Sequence, residues 1–88
     1  MIPKYRKPIH PGEILLKEFL EPMEMTQVAL AHKMHVPLQR INSLINGKRD
    51  MTPETAILLA DVLKTSPEFW MNLQMVRDLA FAQELIHA

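Results

Sequence analysis

Apolar residues recur at helical spacing along this chain, and the clearest pattern lies in residues 27–46. Two short amphipathic stretches are joined there by a tight turn. The side chains predicted to face inward from both stretches and the turn are Leu30, Ala31, Met34, Val36, Ile41, Leu44 and Ile45. This arrangement is typical of a helix-turn-helix, whose second helix enters the major groove of DNA.

Proline residues mark where further helices begin. Pro11, Pro37, Pro53 and Pro67 each suit the first turn of a helical pattern, and the residue before each is a natural cap. No β pattern is present, so the predicted fold class is all-α, with one domain over residues 9–88 and a basic N-terminal arm over residues 1–8. The five predicted helices cover about residues 11–21, 27–34, 37–46, 53–64 and 67–86.

Two of these helices carry two apolar rows each. In the first helix the rows are Leu15, Phe19 and Met23, and Leu16 and Leu20. In the last helix they are Phe69, Leu73, Val76 and Ala80, and Met75, Leu79, Ala82 and Ile86. One row of the last helix suffices for the core, so the second, from Met75 to Ile86, is predicted to form a homodimer contact. The alternative is a helix sunk deeply in its own core.

Polar residues remain on the outward side of the second motif helix. Gln39 and Asn42, three residues apart, are expected to reach base edges. Lys48 and Arg49 follow the helix stop at Asn46-Gly47 and are placed to clamp the phosphate backbone, although they could also be solvated charges. The complete predicted DNA-binding set is Gln27, Pro37, Leu38, Gln39, Arg40, Asn42, Ser43, Lys48 and Arg49.

Charge is distributed unevenly along the chain. Ten basic residues balance ten acidic residues, which argues against a protein that coats polyanions in general. Residues 25–49 nevertheless carry four of the basic residues and no acid, whereas residues 13–24 and 50–88 are acidic on balance. The cationic block therefore coincides with the predicted motif, where an electrostatic contact with DNA has to lie.

Other kinds of chemistry find little support in the sequence. The chain has no cysteine, and His32 and His35 lack further ligands nearby, so neither a disulfide nor a metal site is expected. His35 instead occupies a turn position that favours positive φ and is usually glycine. No catalytic arrangement or phosphate-binding glycine loop is visible, so we expect no enzyme, no cofactor and no small-molecule substrate. No membrane span or signal peptide is visible, which predicts a cytoplasmic protein.

A longer set of motifs covers about residues 8–82. It comprises residues 10–15 and 18–22, Val36-Pro37, Arg40-Ile41-Asn42, residues 45–49, Thr55-Ala56, Leu59-Ala60 and residues 66–74. This combination resembles the HigA-type antitoxins, also called VapI-like or plasmid-maintenance antidote proteins. The resemblance implies a lambda-repressor-like fold, a homodimer, repression of the protein's own operon and neutralisation of a HigB-type toxin, a small ribosome-dependent mRNA endonuclease.

The sequence thus predicts a dimeric repressor that acts as the antitoxin of a type II toxin–antitoxin pair. The toxin follows from the resemblance alone, so a repressor without a toxin partner is the main alternative. A second alternative is a protein-interaction module whose motif no longer touches DNA. An adjacent reading frame for a small basic protein separates the antitoxin from the repressor without a toxin. Salt-dependent duplex binding excludes the protein-interaction module.

Overall fold

A computed structural model describes residues 9–87, which form five helices and, within that range, no strand. The first helix, α1, begins as an α-helical turn, Pro11–Ile14, and continues as a π-helical segment, Leu15–Leu20. The all-α prediction is confirmed, whereas the predicted N-terminal arm, residues 1–8, lies outside the described residues. The remaining helices are α2 (Gln27–Met34), α3 (Leu38–Ile45), α4 (Pro53–Leu63) and α5 (Pro67–His87).

Three helices begin at the side-chain caps that the proline positions predict. His10, Thr52 and Ser66 each accept a hydrogen bond from a backbone N–H in the first turn that follows. The third helix differs, because Pro37 itself is the N-cap, with φ −62° and ψ 145°, and Val36 precedes it in the turn. The predicted start of this helix at Pro37 was therefore one residue early.

Among residues 9–87, three non-glycine residues adopt left-handed backbone conformations at φ values of 53–61°. His35 ends α2 and Lys64 ends α4 in this conformation, and Glu24 lies in the turn before α2. The positive φ predicted at His35 is confirmed. Each of these residues strains the chain relative to glycine, because its Cβ approaches its own backbone.

The core receives at least one fully buried side chain from each helix. Leu15, Leu30, Ile41, Leu59 and Trp70 are all 0% exposed. The inward positions predicted for the helix-turn-helix are confirmed at Leu30, Ala31, Met34, Ile41 and Leu44, whereas Val36 and Ile45 are half-buried. The motif is therefore a packed part of one domain.

The predicted apolar rows of α1 are partly wrong. Leu15 and Leu20 are buried and Leu16 and Phe19 are half-buried, but Met23 is 49% exposed. The helix ends at Leu20. Its second half is π-helical, and the Glu21 N–H donates to the Leu16 carbonyl, five residues back, at 3.0 Å. Helical spacing therefore no longer applies at Met23.

In α5 a row that contains Trp70 and Gln74 packs on the domain. The predicted core row of α5 is partly wrong. Leu73 packs against the core and Ala80 is half-buried, but Phe69 and Val76 are 38% and 51% exposed. The Trp70 indole Nε1–H donates to Thr65 Oγ1 at 2.8 Å, and the Trp70 ring lies 5.1 Å from that of Phe19. The large ring and its hydrogen bond place Trp70 at the centre of the face that α5 packs on the domain, with Leu73 at the edge of that face.

Gly12 brings α1 directly against the backbone of α3. A Cβ on Gly12 would overlap the carbonyl oxygen of Leu44 and would lie 2.8 Å from the Cα of Ile45. Both are backbone atoms, which cannot rotate away. The close approach of these two helices therefore requires glycine at this position.

Candidate nucleic-acid interface

The turn between α2 and α3 sets the direction of the second motif helix. Thr26 caps α2 through its Oγ1, which accepts the Ala29 N–H at 3.0 Å. At the other end, the left-handed His35 lets the Val36 N–H donate to the Ala31 carbonyl at 3.1 Å. This bond is the six-to-one bond of a Schellman C-cap. Both ends of α2 are therefore defined, and the chain enters α3 at a fixed angle.

The N-terminal half of α3 presents side chains to solvent. Pro37, Leu38 and Gln39 are exposed, whereas Asn42 and Ser43 are half-buried. Gln39 and Asn42 lie three residues apart, so their side chains share one face of the helix. The structure thus brings together an accessible amide at Gln39 and a more restricted amide at Asn42.

Arg40 is engaged with a residue that lies outside the motif. Its Nη1 lies 3.0 Å from Oε1 of Glu54, at the start of α4, and the two side chains are 29% and 73% exposed. This long-range ion pair joins the acid-free run of residues 25–49 to the first turn of α4. Because an exposed pair of this kind is weak, Arg40 can exchange the carboxylate for a phosphate at little cost.

The loop between α3 and α4, residues 46–52, carries the two predicted phosphate contacts. The backbone N–H groups of Lys48 and Arg49 donate to the Ser43 carbonyl at 2.9 and 3.2 Å, and Gly47 makes the required turn at φ 74°. Both basic side chains are exposed, and Gln27, at the start of α2, is half-buried. The loop backbone is therefore fixed to α3, and its two cations are exposed to solvent.

His10 packs against this loop from the start of α1. It is 8% exposed, and its Nδ1 accepts the Gly12 N–H at 2.9 Å, so the proton of the neutral ring lies on Nε2. A Cβ on Gly47 would lie 3.9 Å from the His10 ring. The other ring nitrogen, Nε2, is buried and makes no hydrogen bond of normal geometry with residues 9–87.

Burial lowers the pKa of His10, and the positive charge of Arg77 on α5 lowers the pKa further. Asp50 and the backbone of Arg49, both in the α3–α4 loop, act in the opposite direction. The balance favours the neutral ring. His10 is therefore a neutral helix cap next to the loop that carries Lys48 and Arg49.

Gln74 holds the same loop from α5. It is 4% exposed, and its Oε1 accepts the Met51 N–H at 2.7 Å, while its Nε2 donates to Oδ1 of Asp78 at 2.9 Å. The loop thus has one attachment to α3 at Ser43 and another to α5 at Gln74.

The second half of α5 is highly exposed. The predicted dimer residues Met75, Leu79 and Ile86 are 51%, 53% and 75% exposed, and Ala82 is exposed too. Leu85 is 81% exposed. A contiguous exposed apolar surface on a helix marks an interaction site.

Sequence reasoning missed three residues that shape this interface, namely His10, Gly12 and Gln74. The proline after His10 indicated its capping role, but not its contact with the loop. Gly12 and Gln74 act on residues more than twenty positions away, so no local pattern could identify their roles. α5 contains other polar residues, such as Asn72 and Gln83, so the residue type of Gln74 offered no signal of its role.

Two further observations concern residues 9–87. In this part of the chain no three His, Cys, Asp or Glu side chains are placed to hold a metal ion. No helix in the same range has the length and apolar character needed to cross a membrane.

Comparison with known proteins identifies the family. The profile of the helix-turn-helix family matches residues 16–70. Antitoxin HigA-1 of Vibrio cholerae is 47% identical over 74 residues, which cover 84% of this chain and 70% of that protein. The chain belongs to the helix-turn-helix family and, within it, to the HigA-type antitoxins. The resemblance drawn from the sequence motifs is therefore confirmed.

The chain is also similar to a second curated protein and to a solved structure. An uncharacterized HTH-type transcriptional regulator, YbaQ of Escherichia coli K12, is 46% identical over 84% of this chain and 66% of its own. The structure of Pseudomonas aeruginosa antitoxin HigA with the higBA promoter has a TM-score of 0.86 at 39% identity, covering 90% of this chain and 86% of that one. This chain spans 66% to 70% of the length of YbaQ and HigA-1.

Proposed function

We propose that this HigA-type chain binds a specific operator as a homodimer, represses transcription of its own operon and neutralises a toxin. Two observations carry the proposal: the start of α3 is exposed, and the loop after α3, bonded to the Ser43 carbonyl, exposes Lys48 and Arg49. No acidic residue occurs between residues 25 and 49, so the potential on this side favours a polyanion. The related Pseudomonas aeruginosa HigA, solved with a promoter, supports the same use of this fold.

In this proposal the start of α3 lies in the major groove. Gln39 and Asn42 contact base edges. A side-chain amide suits this role because it can form two hydrogen bonds with adenine, at N6 and N7. Pro37, Leu38 and Ser43 border this contact, and Arg40 bonds a phosphate after releasing Glu54. Lys48 and Arg49 bond phosphates on one side of α3, and Gln27 does so on the other.

Replacing Gln39 or Asn42 by alanine is expected to weaken operator binding by about 1–3 kcal/mol and to relax specificity at one base pair. The physical reason is the loss of a paired donor and acceptor at a base edge. The measurement is affinity for a duplex from the region upstream of the gene and for the same duplex with single base changes.

Arg49→Ala is the matched comparison for these two variants. It should weaken specific and scrambled duplexes alike and reduce the slope of log K against log salt by about 1, because one phosphate contact is lost. If Gln39→Ala and Asn42→Ala footprint the operator as the wild type does, the assignment of these residues to base contacts is wrong.

Dimerisation is proposed through the exposed row Met75, Leu79, Ala82 and Ile86. The support is the high exposure of these apolar side chains along the second half of α5. A two-fold dimer requires an operator that is a pseudo-palindrome, with half-sites about one helical turn, roughly 34 Å, apart.

A toxin partner is proposed because the chain is a HigA-type antitoxin by family. A nuclease that acts on mRNA is expected to be basic, since its substrate is a polyanion. The exposed acids Glu13, Glu18, Glu21 and Glu24 lie on α1 and directly after it, outside the cationic block of residues 25–49. Further acids in the C-terminal half are Asp61, Glu68, Asp78 and Glu84.

Reversing Glu18, Glu21 and Glu24 to lysine together is expected to slow toxin association about tenfold or more at low salt, and less at moderate salt. The toxin used is the product of the neighbouring reading frame, and the readout is the association rate with DNA binding checked in parallel. The matched control reverses three other acids, Asp61, Glu68 and Glu84. An unchanged rate in the first variant and a slower rate in the control would place the toxin on the C-terminal acids.

A stand-alone repressor remains the alternative, because relatives such as YbaQ are described as transcriptional regulators. The discriminating observation is the neighbouring gene. A small basic protein encoded there, which co-purifies with this chain, supports the antitoxin. The absence of such a gene favours regulation without a toxin.

A further inference from the structure

Gln74 is a polar side chain buried between α5 and the α3–α4 loop, and both ends of its amide are used. Its Oε1 accepts the Met51 N–H at 2.7 Å, and its Nε2 donates to Asp78 at 2.9 Å. Burying an amide costs free energy unless its hydrogen bonds are made, and an apolar side chain of the same shape would pack as well without that cost. What the amide adds is a directional contact with the loop.

That contact lies two residues after Arg49, so it controls the far end of the segment that carries the proposed phosphate contacts. The near end is held by the Ser43 carbonyl, which accepts the N–H groups of both Lys48 and Arg49. A displacement of Met51 passes directly to Arg49, because two residues of chain span at most about 7 Å. The loop is thus held at both ends, by α3 and by α5.

We infer that Gln74, oriented by Asp78, is a positioning residue that directs Lys48 and Arg49 towards DNA phosphates. The inference rests on the proposed DNA-binding function. It assigns α5 two tasks on two faces, since Gln74 and Asp78 fix the loop while the next residues, Met75 and Leu79, belong to the exposed apolar row.

Two substitutions of Asp78 test the inference, and both replace the carboxylate with an uncharged side chain. Asp78→Asn keeps an oxygen that can accept the Gln74 Nε2–H, whereas Asp78→Ala removes it. Removing the negative charge by itself strengthens binding to a polyanion, so both variants would bind more tightly if charge alone mattered. We expect Asp78→Asn to bind at least as tightly as the wild type and Asp78→Ala to bind about threefold more weakly. The probes are the upstream duplex and a scrambled duplex of the same composition.

Gln74→Met supplies a second test, because it keeps the approximate length of the side chain and removes both hydrogen bonds. We expect binding to both duplexes to fall about tenfold, with a salt slope smaller by about 1. When Lys48 and Arg49 are already alanine, the same substitution should change affinity by less than about twofold. A merely structural role would lower thermal stability equally in both backgrounds and would leave the salt slope unchanged.

The outcomes separate this inference from the function on which it rests. Folded Gln74→Met that binds with the wild-type affinity and slope, or equal binding by Asp78→Ala and Asp78→Asn, overturns the positioning role while leaving DNA binding intact. If Gln74→Met does not fold, the two Asp78 variants decide. A wild-type protein that binds neither duplex in a salt-dependent way refutes the proposed DNA binding itself.

Discussion

Gly12→Ala is expected to lower the free energy of unfolding by about 2–3 kcal/mol, as measured by urea denaturation. The new Cβ would overlap the Leu44 carbonyl oxygen and would lie 2.6 Å from the Leu44 carbonyl carbon, so α1 and α3 must separate. Glycine to alanine within a helix ordinarily stabilises by up to about 1 kcal/mol. The sign of the effect therefore distinguishes the close approach of these helices from ordinary helix propensity.

The other glycine offers a matched control. Gly47 has φ 74°, and a Cβ there would make only an ordinary van der Waals contact with the His10 ring, at 3.9 Å. Asparagine tolerates the left-handed region, so Gly47→Asn is expected to cost well below the loss in Gly12→Ala. A Gly12→Ala protein as stable as the wild type would mean that the helices do not approach as closely as described.

Leu79→Asp combined with Ile86→Asp is expected to give a monomer whose operator affinity falls about 100-fold or more. The two carboxylates would be buried in the proposed apolar dimer contact, which strongly disfavours association. A monomer also loses the second half-site, and the gain from linking two sites is about 10²–10⁴-fold. Sedimentation equilibrium measures the first effect, and duplex titration measures the second.

The control places the same two charges elsewhere on the domain. Ile57 and Met23 are 51% and 49% exposed, close to the 53% of Leu79, and neither lies on α5. The double variant Ile57→Asp with Met23→Asp gains the same two negative charges, and we expect it to remain a dimer. Wild-type protein that sediments as a monomer at micromolar concentration would exclude the dimer proposal altogether.

The helix-turn-helix was predictable because its signals are local. Leu30, Met34, Ile41 and Leu44 follow the helical repeat, and the turn between them is short enough to limit the arrangement of the two helices. The unusual backbone of His35 followed from its place in that turn. Such features depend on neighbours within a few residues, which the sequence displays directly.

The core-facing row of α5 could not be predicted in the same way. Helical spacing identified apolar rows, but the row that packs inward depends on Trp70 and on a buried amide, Gln74, that counts as polar in any such pattern. The partners that decide the outcome are Thr65 and Met51, and the latter is 23 residues from Gln74 in sequence. The Arg40–Glu54 pair escaped the charge analysis for the same reason.

The three left-handed residues Glu24, His35 and Lys64 limit the intrinsic stability of this chain. Each costs about 1 kcal/mol relative to an unstrained backbone, which is considerable for a domain whose total margin is about 5–15 kcal/mol. Any molecule that binds the folded form alone adds stability in proportion to the logarithm of its concentration. The free energy of unfolding of this chain therefore rises with ligand occupancy, and we expect a vacant copy to unfold at a lower temperature than a bound one.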